Sequence, residues 1–361
     1  MTREELLDEV QHGEPIRHVD LSSLSLDGAD LAGAVFEGVR FPSALSGALL
    51  RESTFAECQF ASSVLDGADL HLATFYRCSL RGASLEGAKI IGASFIECDC
   101  DDARLLRADA PIATWAKTSL ARASFESANL DRANLLDLCA DGASFASANL
   151  EKATLYRADL RGADLTSANL TLTTLVEAML GAKSFRTNKL FRTQLMKSEL
   201  AGASFAHAEA PQCNFMGADL RGASFEGANA PQSFFGEADL KGASFADAVL
   251  TNAVFEKASA PEADFSRASL EEAFFGHAHL PGARFAGARL READLSHADV
   301  TGADFRGAGL HRARFHAASR DGAVLPKTAG WLGDDEALRA AETWQPSHGC
   351  EDHEKSTADT K

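Results

Sequence analysis

From Leu50 to Leu325 a large apolar residue, or a smaller stand-in, recurs at every fifth position, 56 times without an insertion. A helix advancing about 100° per residue would smear such a series around its whole surface. A strand alternates faces, so an odd step would throw successive members to opposite sides. A chain that bends once in every five residues keeps them together, because each short side presents its own pair inward. In the stretch GADLRGASFEGANAPQSFFG (217–236), Ala223 and Phe225 form one such pair. Two residues apart on an extended segment, they face the same way. A register this long predicts a solenoid.

The punctuation locates the bends. Seven prolines in the array, from Pro42 to Pro326, each directly follow a centre of the repeat, and 20 of the 28 glycines sit two after one. Proline then glycine at the two central positions matches a type II turn, in which the second residue has φ > 0. Where the second position is not glycine, the expectation is a type I corner. An earlier block is centred on Leu21, Leu26, Leu31, Phe36 and Phe41, and its frame slips by one residue at 42–45.

Stretches such as ADLRGADLTSANL (158–170) resemble the pentapeptide-repeat proteins, whose motif is A(D/N)LXX. The resemblance covers roughly 21–325. It implies an all-β solenoid, a right-handed quadrilateral β-helix with four repeats per coil. The residues hint at the same number. Cys58, Cys78 and Cys98 recur every twenty, and 17 of 18 phenylalanine centres end in the digit 5, on two opposite sides of a square coil. Fourteen coils at ~4.8 Å make a rod of roughly 67 Å.

The expected organisation is a helical cap over 1–20, the β-helix over 21–330, a C-terminal helix over 331–345 and a disordered tail over 346–361. Thr2 to Glu5 fits a capping box ahead of Leu6, Leu7 and Val10. In the C-terminal helix, Trp331, Leu338 and Trp344 are expected to cover the final coil or to pair with a second copy as a homodimer. One coil departs from the pattern. In GAKSFRTNKLFRTQLMKSEL (181–200) the alanine slots hold Lys183, Asn188, Thr193 and Ser198, and Lys183, Arg186, Lys189, Arg192 and Lys197 make it basic. It reads either as a partner site or as a seam between two stacks.

Little chemistry is on offer. Cys58, Cys78 and Cys98 occupy a slot elsewhere filled by alanine, and their spacing matches no compact zinc motif. His277 and His297 would stack outward at a corner, but two histidines make a weak metal site. Serine and aspartate recur because the repeat wants them beside its corners, and no phosphate-binding loop is present. The expectation is a non-enzyme without metal or cofactor. Phe234, Val254 and Phe274 each precede a centre on successive coils, so they point outward as an apolar stripe. Phe191 is a second outward aromatic.

The net charge of −17 argues against direct nucleic-acid binding. No apolar run approaches the ~18 residues of a membrane span. The acidic start MTREELLDEVQHGEP lacks the order of a signal peptide, and seven cysteines suit a reducing compartment. Cytoplasm is the expected address, with one-step export that needs no signal peptide left open. Some pentapeptide-repeat proteins act on DNA gyrase by imitating DNA. The coils here carry −8, against roughly 40 charges on DNA of equal length, so gyrase or topoisomerase binding is the alternative reading. The opening MTREELLDEVQHGEPIRHVDLSSLSLDGADLAGAVF resembles pentapeptide-repeat proteins of bacterial type VI secretion loci. That implies a scaffold or adaptor for a secreted effector or a spike component.

Overall fold

The structure, a computed structural model, describes residues 1–327 and 330–344. The chain winds as a quadrilateral β-helix in which each side is one pentapeptide and twenty residues complete a coil. Helix α1 (Arg3–Gln11) leads into seven short parallel strands, β1 (Ile16–Arg17), β2 (Val35–Glu37), β3 (Thr54–Ala56), β4 (Thr74–Tyr76), β5 (Ser94–Ile96), β6 (Thr114–Ala116) and β7 (Asn134–Leu136), and α2 (Glu336–Glu342) follows the last coil. These strands lie on one side, called here side A. Its pairing continues as single bridges from Asn134 to Leu332. Sides B, C and D follow in chain order, with outward rows through Asp159, Ser144 and Asn149. Within the repeat, as far as Val324, partners stand twenty residues apart except where a coil spans the slip at 42–45, where Ser25 meets Ala44 and Arg40 meets Gln59. The one-residue deletion is absorbed in a single coil.

The inward pairs build the core. Phenylalanines stack along sides A and C and meet edge-on between them. Phe245 lies 4.8 Å from Phe225 and 4.9 Å from Phe265 in parallel planes, and crosses Phe235 at 87°. Both aromatic geometries are favourable, and each buried ring removes ~150–250 Å² from water. Alanine beside each centre leaves room for them. At the first coil, α1 closes the open end. Its Thr2–Glu5 capping box is formed, Leu6 is buried, and Leu7 and Val10 pack on the core.

The corners differ from the expectation. At 38 non-glycine positions, almost all of them second corner residues, φ is positive, from +50° to +60°. The type I alternative is therefore wrong, and the coil-to-coil ladder explains why. The second corner N–H donates to the first corner carbonyl of the next coil, as Glu52 does to His71 at 2.8 Å. A type I corner would aim that N–H elsewhere. The lost hydrogen bond would offset the ~1–2 kcal/mol of left-handed strain.

Side A has two kinds of exit corner. After β2 to β7 the corner lacks the hydrogen bond that closes a β-turn, whereas after Leu175, Phe215 and later centres it is present, as from Ala218 N–H to the Phe215 carbonyl. The inward residue behind the open corner is always larger than alanine: Val39, Cys58, Cys78, Cys98, Thr118 and Leu138. Behind the closed corner it is alanine or serine. The open corner makes the space these side chains fill.

The basic coil is a break in two ladders. Asp164 does not pair with Ser184 on side C, and Lys189 does not pair with Glu209 on side D, while sides A and B continue. Side chains replace the missing amides. Lys183 Nζ donates to the carbonyls of Arg161 and Ala163, and Asn188 Nδ2 to those of Leu165 and Ala168 at 2.7 and 3.1 Å. Thr193 and Ser198 donate likewise to Leu170 and Leu175. Desolvation pulls the Lys183 ammonium below the usual lysine range, against the attraction of Asp164 and Asp159.

At the far end Leu332 pairs with Arg314 in place of a further coil. The helix is shorter than 331–345. It starts after Asp335, whose carboxylate accepts from the N–H groups of Ala337 and Leu338. Trp331 closes the core edge-on against Phe315 at 5.5 Å, whereas Leu338 and Trp344 stay exposed. The tail expected over 346–361 lies outside the described residues.

Candidate functional site

Side A is the chemically distinct surface. Thirteen successive coils, from Val35 to Phe274, have no charge at the outward central position, until Asp294 and Arg314 end the row. Side B, by contrast, presents Asp159, Glu199, Asp219, Asp239 and Asp299 in the same position. Along the edge where side A turns into side B, nine successive coils from Ala56 to Met216 place an apolar residue first in the corner. Tyr76 and Tyr156 are 36% exposed there and Met216 is 43% exposed. The result is an uncharged band with an apolar rim.

The outward stripe lies at the C-terminal end of this band. Phe234 is 49% exposed, and Val254 and Phe274 are half-buried. Phe274 lies down across Gly276, where an added Cβ would come within 2.4 Å of its ring. Phe234 stands between two grooves. A 530 Å³ groove on one flank is lined by Leu172, Arg192, Gln212, Gln232 and Asn252, and one of 200 Å³ on the other by Met216, Val254 and Glu256. Arg192 donates to Gln212 at 2.6 Å and Gln212 to Gln232 at 2.6 Å, so a polar ladder forms the wall of the larger groove.

The fold therefore joins Arg192 of the basic coil with Phe234 of the stripe. Phe191 is exposed beneath the Arg192 guanidinium, 5.1 Å from its ring centre. Arg186 and Lys189 are exposed as well, but they lie on the corner between sides C and D and on side D, away from the groove. Lys183 turns to the carbonyls of the preceding coil and presents no free ammonium to a partner.

This geometry is the work of one motif. A sequence profile of pentapeptide repeats matches eight copies, over residues 43–82, 141–176, 198–236, 233–271 and 268–307. The chain belongs to the pentapeptide repeat family. Similar solved structures include trypsin-treated QnrB1, a plasmid-mediated fluoroquinolone resistance protein, at 20% identity over 50% of this chain and 84% of that one, with a TM-score of 0.31. Another is HetL from the cyanobacterium Nostoc, a pentapeptide repeat protein involved in heterocyst differentiation regulation, at 25% identity over 87% of this chain and 96% of that one, with a TM-score of 0.20. No curated protein matches. Among the described residues, no helix is long and apolar enough to cross a membrane.

Outside the pentapeptide pattern, the end of the rod gathers a second cluster. His277 stacks on His297 at 4.7 Å, and His297 and His316 both reach the Glu342 carboxylate, at 3.2 and 3.3 Å. Pairing His277 with His297 from their spacing missed His316, which stands first in its corner and not second. Glu342 comes from α2, beyond the repeat. The three groups lie within 4.8 Å, as metal ligands do. Yet His316 Nδ1 accepts the Asp335 N–H at 3.0 Å, so the ring carries its proton on Nε2 and donates it to Glu342. A metal ligand needs the opposite arrangement, a bare Nε2 with a donating Nδ1. The cluster fits a polar latch for α2. Desolvation raises the Glu342 carboxyl, but the hydrogen bonds from His316 and His297 outweigh it and hold it below the usual range.

The cysteine ladder is likewise committed to structure. The Cys58 thiol lies 3.3 Å from the Ala56 carbonyl, Cys78 lies 3.3 Å from that of Phe55, and Cys98 lies 3.4 Å from that of Phe75. Hydrogen bonds with the Cys58 and Cys98 thiols and desolvation push Cys78 far above the ordinary range. Burial alone pushes Cys213 up to about 12. Metal ligands are thiolates, and the thiols of Cys78 and Cys213 favour the protonated form.

Proposed function

We propose that this chain is a non-enzymatic protein-binding scaffold and that side A is its docking face. The exposed Phe234, between two grooves on a band with no charge, carries this reading. An apolar ring in that position lowers its free energy only when something covers it. A filled rod offers extended surface and no enclosed cleft in which to desolvate a substrate.

The finer reading is an adaptor of a bacterial type VI secretion system that engages an effector or spike component. It rests on the resemblance of residues 1–36 and on the rod form. Affinity capture from the native bacterium is the test. Recovery of secretion or effector proteins, reduced by Phe234→Glu, supports it, and recovery unchanged by the substitution removes side A from consideration.

Gyrase binding by DNA imitation has less physical support. Arg161 and Arg221 pair with Asp159 and Asp219 at 2.7 and 2.6 Å along the acidic row of side B. The central row of side A has no charge from Val35 to Phe274 with which to imitate phosphates.

A further inference from the structure

Resting on side A as the docking face, we propose that its partner is a second copy of this chain, laid antiparallel about a two-fold axis through Thr174. The charge pattern selects the occupant. A charged partner would leave its own charges desolvated and unpaired against the neutral central row, whereas over the eleven coils from Thr74 to Phe274 a second side A brings none in that row. On the adjoining rim near the axis Arg132 pairs with Asp131 and Lys152 with Glu151 within the chain, and the Arg192 guanidinium is held by Gln212.

The positions of the side chains fix the register. A two-fold axis perpendicular to the rod sets each rim against its own counterpart, so residue i contacts j and j contacts i. Counted in coils, Thr114 lies three before Thr174 and Phe234 three after; Thr74 lies five before and Phe274 five after. The protruding Phe234 thus falls on the small Thr114, and Phe274, folded across Gly276, falls on Thr74. On the apolar rim Val176 meets itself, Tyr156 meets Met196, Leu136 meets Met216, and Tyr76 meets the Phe274 ring where it lies across Gly276.

Ile112 supplies an independent argument. It is 50% exposed and, although β-branched, holds φ at +54°. Left-handed backbone is unfavourable for such a residue, and within one copy its side chain lies only over Gly92 beside Leu72, which leaves half of it exposed. Leu72, 49% exposed at φ +57°, repeats the feature two coils earlier, with Gly92 between them. In the antiparallel register Ile112 enters the partner's 530 Å³ groove beside Phe234 and Gln232. A contact about 48 Å long and on the order of 20 Å wide, rims included, covers ~1,000 Å² per copy, the scale of a stable interface.

The test is sedimentation velocity on the full chain at micromolar concentration, with circular dichroism and melting as controls for folding. The expected species is twice the 38.3 kDa chain mass. Phe234→Glu and Thr114→Glu, each folded, should weaken it at least about tenfold. Thr174→Cys should form a disulfide-linked dimer on oxidation, because the axis brings it onto itself, and Ser94→Cys should not. A monomer at every concentration overturns the proposal, as does a dimer indifferent to both glutamates but lost in Trp344→Ala, which would move the contact to α2. If the protein is monomeric and Phe234→Glu still reduces capture of another protein, the second copy is wrong and the docking face stands. If neither association nor capture responds, the docking face is wrong too.

Discussion

Asn188 donates from Nδ2 to the Leu165 carbonyl at 2.7 Å, across the junction where side C has lost its ladder. The same nitrogen reaches Ala168, while the buried Asn188 Oδ1 has no partner. The asparagine thus costs one orphaned acceptor and satisfies two. Asn188→Ala should destabilise the protein by about 1–3 kcal/mol, the penalty of unsatisfied buried carbonyls net of the relieved oxygen. Amide exchange should accelerate in the adjoining coils first. An unchanged denaturation midpoint would show that water reaches those carbonyls without cost.

How much of this was readable beforehand depends on the range of the interaction. The five-residue register, the square coil and the paired phenylalanine ladders follow from local repetition, so Phe225, Phe235 and Phe245 could be placed from sequence. The run Val39, Cys58, Cys78, Cys98, Thr118 and Leu138 also signalled an open corner, but only once those slots are compared with Ala218 or Ala238. Positive φ at Ile112 or Lys257 was not readable, because it is imposed by hydrogen bonds to the next coil against residue preference. The joining of Arg192 to Phe234, two coils apart, needed the coil geometry. Glu342 against His316 needed the path of the chain after the repeat.

The stacked core makes one position a sensitive probe. Phe245 touches Phe225, Phe235, Phe255 and Phe265 through parallel and edge contacts. Phe245→Ala should cost about 3–5 kcal/mol. Because each coil contacts only its neighbours, the loss should appear as early melting of the C-terminal half. Limited proteolysis during a thermal ramp would report it, and simultaneous loss of all coils would indicate a more cooperative rod.

Arginine–aspartate pairs on sides B and C predict a modest acid dependence. Hydrogen bonds from Arg161, Arg221 and Arg306 hold Asp159, Asp219 and Asp304 below the usual carboxylate range. A depressed folded pKa adds stability that is complete above the unfolded value near 3.9 and is lost as pH falls through the folded one. These pairs are largely exposed, so each contributes only a few tenths of a kcal/mol. Asp219→Asn should flatten stability against pH below about pH 4, and added salt should shrink the difference. A variant with the parent's slope would mean that the pair adds nothing.

The His316 tautomer makes a prediction about metal. With Nδ1 accepting from Asp335 and Nε2 donating to Glu342, zinc has to break both hydrogen bonds before it can bind. Melting temperature should therefore be the same with zinc as with a chelator. His316→Ala should loosen α2, seen as faster exchange of the Arg339 and Thr343 amides. Stabilisation by equimolar zinc, abolished in His316→Ala, would overturn the tautomer.

Ile112 separates the needs of the fold from those of the face. Glycine takes φ of +54° without strain, so Ile112→Gly should stabilise the isolated chain by about 0.5–1 kcal/mol, net of greater freedom in the unfolded state. The same change removes the side chain that enters the groove beside Phe234, so association should weaken. Ser147→Gly, at φ +57° on the corner between sides C and D, is the control: it should relieve similar strain and leave association unchanged. Denaturation of dilute protein reads the first effect and sedimentation at micromolar concentration the second. If Ile112→Gly behaves like Ser147→Gly in both, the isoleucine has no partner.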